Sequence, residues 1–481
     1  MREELQRSME ALKAQPTPPY FLSYRITDVR SVSVKGAFGT ITASDEGRYR
    51  LLNAEVRVGS VAFDNTHAVR DDMPSFDFFD GFSMARMPIE DDPYLIRRAL
   101  WNETDRRYKR AVERYTRVRA NAQLRVTPED TSPDFSLEGP VKHVDAPKNT
   151  PVDRAVWERK IRMYTAPFAR HRDIYGGEAD LSVENETRWY VNSEGSELAT
   201  SSAYYRLLIS AYTRADDGML LPLYESFVAS TPDGLPDDAT IVKTVERMIT
   251  DLQALRRAPV IEAVTAPAIL SGRASGVFFH EVFGHRIEGH RQKDEDDAQT
   301  FKGKIGERIL PRHLSVSFDP TRRRLGNTDL VGHYLYDDEG VRARRVDVVM
   351  NGEFKSFLMS RSPIAGFTRS NGHGRSQPGF QPVARQSNLV VASSAPVSRA
   401  ELKRMLLAEI KRQKKPFGLV FDDIEGGFTM TTRFLPSAFE VIPVMVYRVF
   451  PDGREELVRG ADLVGTPLTV FSRIIAADDD V

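Results

Sequence analysis

Phe279-His280-Glu281-Val282-Phe283-Gly284-His285-Arg286 sets two imidazoles and a carboxylate within six residues, in the order H-E-x-x-x-H. Neutral imidazole is a preferred zinc ligand, and a Glu beside a metal-activated water serves as a general base. The familiar zinc-protease helix is H-E-x-x-H, whose histidines stand four apart on one face. Here the spacing is five. On a regular α-helix that leaves the two side chains roughly 140° apart, a poor geometry for chelation. A single π-turn would bring them nearly above one another, and Gly284 is where the backbone distorts most easily. The stretch therefore predicts one of two things: chelation through a deformed helix end, or no chelation. His290 adds a third imidazole, but its neighbours Glu288, Gly289 and Arg291 predict an exposed loop.

Working outward, the whole chain bounds the function. Its 481 residues suffice for about two or three domains with substantial cores. Hydrophobic residues make up 41% and charged residues 28%, an ordinary globular balance. The formal charge of −1 argues against broad electrostatic binding to nucleic acid or an anionic membrane. No stretch approaches the roughly 18 apolar residues of a membrane span. The start, Met1-Arg2-Glu3-Glu4-Leu5-Gln6, is polar and lacks the apolar core of a secretory signal, so a cytoplasmic location is expected. Cysteine is absent, which excludes disulfides, a catalytic thiol and any thiolate zinc ligand from this chain.

Residues 1 to 14 predict a short helix ended by Pro16 and Pro18. Alternation from Tyr20 to about Phe63 predicts antiparallel strands. Residues 64 to 92, rich in Asp, Phe and Pro, read as a long loop. A charged helix follows from Pro93 to about Arg125, with Leu95, Ala99, Tyr108, Val112 and Tyr115 as packing positions. The prolines of 126 to 152 read as a linker or surface excursion. A helix from Val152 to about His171, strands over 178 to 230 and a helix over 237 to 256 complete a first domain, 1–257. Pro259 opens a strand to about Leu270, and Ser275 caps a helix beginning near Val277. Residues 291 to 306, with Lys293, Asp294, Glu295, Asp296 and Asp297, read as a solvated acidic loop or mobile flap. Asn351-Gly352 predicts a hairpin, and Ser398 with Glu401 a capping box on a helix reaching Lys415. Strands at Phe417 to Phe421, Phe439 to Phe450 and Glu455 to Arg459 close a second domain, 258–481.

Read together, these stretches resemble the TldD/PmbA family, once called modulators of DNA gyrase. The resemblance rests on His280 to His285 as an H-E-x-x-G-H-like core. It also rests on Asp337-Asp338-Glu339-Gly340, the hairpin at Asn351-Gly352, Ser370 to Arg375, Arg385-Gln386-Ser387-Asn388 and Arg459 to Pro467. It is specific over residues 259 to 467 and looser upstream. It implies an α+β fold: an N-terminal mixed domain with an antiparallel sheet and long helices, and a larger, strand-rich C-terminal catalytic domain. It implies a zinc metallopeptidase acting on peptides or unfolded polypeptides, as a homodimer or paired with a related subunit. His280 and His285 would be the metal ligands and Glu281 the general base.

One departure from the family pattern stands out. The family's third ligand is usually a Cys near the C-terminus, and this chain has none. The expectation is of a chain cut short, or one that has lost its last element, since it stops at Ala476 to Val481. Two histidines alone make a weak catalytic site. Asp337, Asp338, His373 or the terminal Asp478 to Asp480 are candidate replacements, and spacing singles out none of them. The alternative function is therefore a non-catalytic subunit or scaffold of the same fold. DNA or gyrase association is suggested only by the family's old name, and the near-neutral charge does not support it.

Overall fold

The computed structural model describes residues 1–69, 85–124, 130–148, 150–293, 299–429 and 439–479. Residues 294–298 of the acidic loop expected over 291 to 306, and part of the Asp- and Phe-rich loop expected over 64 to 92, lie outside them. The first half is built on a seven-stranded sheet. Strand Pro19–Ala37 turns at Phe38-Gly39, both at positive φ, into Thr40–Val58. On its other edge it pairs antiparallel with Gly176–Asn192, which continues into Glu197–Arg214 and Leu220–Ala229. Glu197–Arg214 buries alternate residues, Ala203, Tyr205, Leu207, Ile209 and Ala211, as period-two strand geometry requires.

Helices cover this sheet. Arg2–Lys13 and the long Pro93–Leu124 close a core over Leu22, Tyr24, Ile26, Leu52, Ala54 and Val56. Tyr108, Val112 and Tyr115 pack as expected, but Leu95 is exposed and Leu100 and Ala111 carry the burial instead. Arg154–Thr165 and Asp238–Arg257 close a second core with Ile161, Leu181, Leu207, Ile241 and Leu252. The proline-rich stretch after 126 is not simply a surface linker: Asp134, Phe135 and Ser136 are buried, and Lys142–Val144 adds a parallel strand.

The second half spreads its strands over several smaller sheets, and the chain's largest sheet lies in the first half. A four-stranded sheet contains Leu314–Phe318, Val346–Met350 and Leu389–Ser393. Asn351 and Gly352 both take positive φ, the expected tight hairpin turn, but only Glu353–Phe354 continues as strand. A five-stranded sheet contains Gly418–Thr429 and Phe439–Val449. Its one parallel member is Ala268–Leu270 against Leu419 to Phe421. The strand expected from Pro259 shrinks to those three residues, because Pro259 and Pro267 offer no N–H to a ladder. Ser398 caps the helix Arg399–Arg412 through its Oγ, as the sequence predicts.

Two buried polar clamps are among the contacts that join the halves. The Arg361 guanidinium, 1% exposed, grips Glu194 with two hydrogen bonds of 2.7 Å and reaches the Ser136 carbonyl at 2.9 Å. Arg25 donates to the Asp338 carbonyl, and Arg188 pairs with the Asp338 carboxylate.

Candidate metal centre

The short strand Ala268–Leu270 leads directly into the site helix, Gly272–Val282. Its N-cap is Ser271, not the expected Ser275: the Ser271 hydroxyl accepts from Ala274 N–H at 3.1 Å. Ser275 instead turns its hydroxyl back to the Ser271 carbonyl, the usual alternative for a Ser inside a helix. Phe278, Phe279, Val282 and Phe283 are buried among Phe301, Phe439 and Phe471. That apolar stripe fixes the rotation of the helix, so positions 280 and 281 fall on the face left uncovered.

The five-residue spacing is resolved by a helix break rather than the expected π-turn. Regular helix stops at Val282, Phe283 sits at φ −108°, and Gly284–Ile287 tightens into a 3₁₀ turn. The Arg286 guanidinium caps the free carbonyls of Glu281 and Val282, each at 3.1 Å. The result brings the two imidazole centroids to 4.8 Å. Glu281 lies between them, its carboxylate oxygens 3.7 Å from His280 Nε2 and 3.8 Å from His285 Nε2. One donor atom from each of the three residues lies within 4.8 Å of the others, and this is the one such cluster among the described residues. Two imidazoles and a carboxylate converging on one point fit a zinc ion in donor chemistry.

Electrostatics suit that set. Burial, with the neighbouring His285, lowers the His280 pKa and favours the neutral ring a metal requires. Burial raises the Glu281 carboxyl, partly offset by His285 and Arg286. Behind His285 stands Glu288, fully buried, whose Oε1 is 3.2 Å from His285 Nδ1. A carboxylate on the second ring nitrogen fixes the tautomer and turns Nε2 toward Glu281. Burial pushes Glu288 up, but the His285 bond and nearby His290, Arg291 and Arg385 outweigh it and hold the carboxyl below its ordinary range.

Glu288 is a site residue that sequence reasoning passed over as loop polarity. Its three-residue offset from His285 was the available signal. The same pairing corrects the expectation for His290. Glu288 and Arg291 bind each other at 2.8 Å, so the polar segment folds inward and His290 is half-buried, not exposed. The segment is pinned by Gly289 N–H to the Leu358 carbonyl and Leu358 N–H to the Ile287 carbonyl.

None of the candidate replacement ligands joins the cluster. Asp337 is buried and accepts three backbone N–H groups, from Glu339, Val341 and Gly374. Asp338 is committed to Arg188 and to Ser376 N–H. His373 is fully buried between Asn371 and Ser387. Asp478 bridges to Val397 beside the helix Arg399–Arg412, Asp479 is exposed, and Asp480 lies outside the described residues.

Comparison with known proteins bears directly on this half of the chain. Residues 263–481 match the model of the PmbA/TldA metallopeptidase C-terminal domain. A metalloprotease of Methanocaldococcus jannaschii is 33% identical over 213 residues, 44% of this chain and 43% of that protein. A zinc metalloprotease TldD homolog of Saccharolobus solfataricus is 26% identical over 177 residues, 36% of this chain and 37% of that protein. The chain spans under half the length of the curated relatives it matches. Among solved structures, TldE from Thermococcus kodakarensis superposes with a TM-score of 0.63 at 15% identity, covering 99% of this chain and 94% of that one. The α+β fold is thus shared along the whole chain, and the sequence likeness concentrates around the site. Residues 263–481 are similar to the TldD/PmbA family in sequence, and the chain shares the fold of solved TldE.

Proposed function

We propose that this chain is a zinc-dependent metallopeptidase acting on peptides or unfolded polypeptides, with His280 and His285 as metal ligands and Glu281 as general base. The carrying observation is the convergence of the three side chains across a helix break, with Glu288 fixing His285 from behind. Zinc held there supplies a Lewis acid for the scissile carbonyl and lowers the pKa of water. Glu281 takes the proton of the attacking water and passes it to the leaving amine. Its burial-raised pKa suits a group that must both accept and return a proton. Gly427, whose Cβ would stand 3.3 Å from Glu281 Cγ, keeps the neighbouring strand close to the carboxylate. Exposed strand edges near the site can hold an extended peptide by β-addition. Two domains, 1–257 and 258–481, and a homodimer or a pairing with a related subunit complete the reading. The substitution Glu281→Gln tests it: zinc content is retained and hydrolysis of a quenched-fluorescent unfolded polypeptide falls by about 10²–10⁴-fold. Turnover within threefold of the wild type removes the assigned role.

A second reading, a non-catalytic subunit, is favoured by one observation. Among the described residues no further His, Asp or Glu joins the cluster of His280, Glu281 and His285. Catalytic zinc ordinarily has three protein ligands besides its water. On this reading the purified chain carries no zinc and acts as a binding partner.

A further inference from the structure

Gln386 lies against Gly284 beside His280, and the metallopeptidase reading leaves its carboxamide unused. It follows the two-residue strand Val383–Ala384, and its neighbours hold it rigidly. Arg385 N–H donates to the His373 carbonyl at 2.9 Å, and its guanidinium reaches Glu288 at 3.3 Å. Ser387 Oγ is 3.0 Å from His373 Nε2. The Asn388 side chain bonds Gly332 N–H and the carbonyls of Asp319 and Arg322. Held between these anchors, the Gln386 carboxamide is driven into the notch over Gly284. A Cβ on Gly284 would stand 2.0 Å from its Oε1 and 2.6 Å from its Nε2, so only glycine leaves room for it.

Both polar atoms of that carboxamide are shielded from solvent, and neither has a hydrogen-bond partner among the described residues. A buried amide without partners costs free energy that an apolar side chain would avoid. Its position supplies the reason. Gly284 opens the 3₁₀ turn just after the site helix, and the Gln386 side chain lies close enough to act on the His280 ring. His285 already has its second nitrogen on Glu288. Metal-ligating imidazoles almost always donate that second N–H to an acceptor, and His280 needs one too.

Resting on the zinc reading above, we propose that Gln386 is the positioning residue for His280. Its carbonyl oxygen takes the imidazole N–H that does not face Glu281. The two ligands are then held symmetrically: Glu288 orients His285 from within the site segment, and Gln386 orients His280 from a strip about a hundred residues further on.

The test uses the full chain and two variants. Gln386→Met keeps the volume and removes the acceptor; Gln386→Glu keeps an acceptor. Zinc affinity is measured by chelator competition, and the melting temperature is measured without metal. Gln386→Met is expected to weaken zinc binding about 10–100-fold. Its metal-free melting temperature should equal or exceed the wild type's, and Gln386→Glu should restore affinity to within about threefold. An amide with only a packing role would shift the melting temperature and leave affinity alone. Wild-type affinity in Gln386→Met, or equal weakness in Gln386→Glu, overturns the proposal. If zinc binds the wild type, is lost in His285→Ala and ignores Gln386→Met, positioning alone fails. If the wild type takes up no zinc, the metal reading and this inference fail together.

Discussion

The His280–Glu281–His285 cluster and the Asp337–Asp338–Glu339 run are both polar sites set into the second half of the chain, and they are wired in opposite ways. In the acidic run the lone pairs are spent. Asp337 takes three backbone N–H groups, Asp338 takes Arg188 and Ser376 N–H, and Glu339 takes Arg361 N–H at 2.7 Å. Burial still raises Asp337 to about 7 and raises Glu339, while Arg375, Arg188 and Arg25 overcome burial and lower Asp338. At the candidate metal centre the donors converge but do not satisfy one another: each imidazole Nε2 stops more than 3.5 Å from Glu281. Saturated polar groups lock two halves of a fold together. Convergent, unsaturated ones leave coordination for something else.

That contrast predicts separable effects. The largest belongs to the clamp beside the acidic run. Arg361→Met removes the guanidinium from Glu194 and Ser136 and leaves Glu194 without its partner. It should cost about 3–5 kcal/mol in chemical denaturation without altering the zinc affinity of the folded protein. A loss below about 1 kcal/mol would show that the clamp is not what joins the halves.

Next comes the acid limb of stability. Burial lowers the His373 pKa from 6.5 to about 4, so the unfolded chain binds its proton first as pH falls. His373 therefore contributes stability that is present above pH 6.5 and lost as pH falls toward 4, about 3 kcal/mol in all. Asp337, raised by burial, acts in the opposite sense: its contribution is present below its unfolded pKa and is lost as pH rises toward 7. The two overlap, so the check is a difference: wild type minus His373→Gln in denaturation at pH 7 and pH 4.5. An equal pH dependence in both proteins contradicts the assignment.

The smallest effect sharpens the metal side. Glu288→Gln replaces the carboxylate on His285 Nδ1 with a neutral amide. Zinc affinity should fall about 10–100-fold, read by chelator competition. Unchanged affinity would reduce Glu288 to a packing partner of Arg291 and Arg385.

How much of this was legible in the sequence follows from the range of each signal. Periodicity gave the helices at 2–13, 93–124 and 238–257, and Asn351-Gly352 gave its hairpin, because those signals sit within one element. The H-E-x-x-x-H stretch announced a distortion near Gly284, but the π-turn it suggested proved to be a break into a 3₁₀ turn. A π-turn and a 3₁₀ break both reconcile a five-residue spacing, and the choice rests on Arg286 reaching back to cap Glu281 and Val282. Glu288 looked like loop polarity because its partners, Arg291 and Arg385, neutralise it only in three dimensions. Gln386 was visible only as part of the stretch Arg385-Gln386-Ser387-Asn388, with no role attached to it. Its meaning comes from the notch over Gly284, which sequence spacing cannot reveal. Ser275 was the expected cap, and Ser271 takes the role instead, its hydroxyl accepting from Ala274 N–H while donating to the strand carbonyl of Asp422 at 2.6 Å.

The central claim is that His280, Glu281 and His285 form a working metal centre, and zinc stoichiometry of the purified chain tests it most directly. About one zinc per chain, falling to near zero in His280→Ala and in His285→Ala, is the predicted result. A chain that purifies without zinc and takes none up on addition, or one whose zinc survives both substitutions, contradicts it.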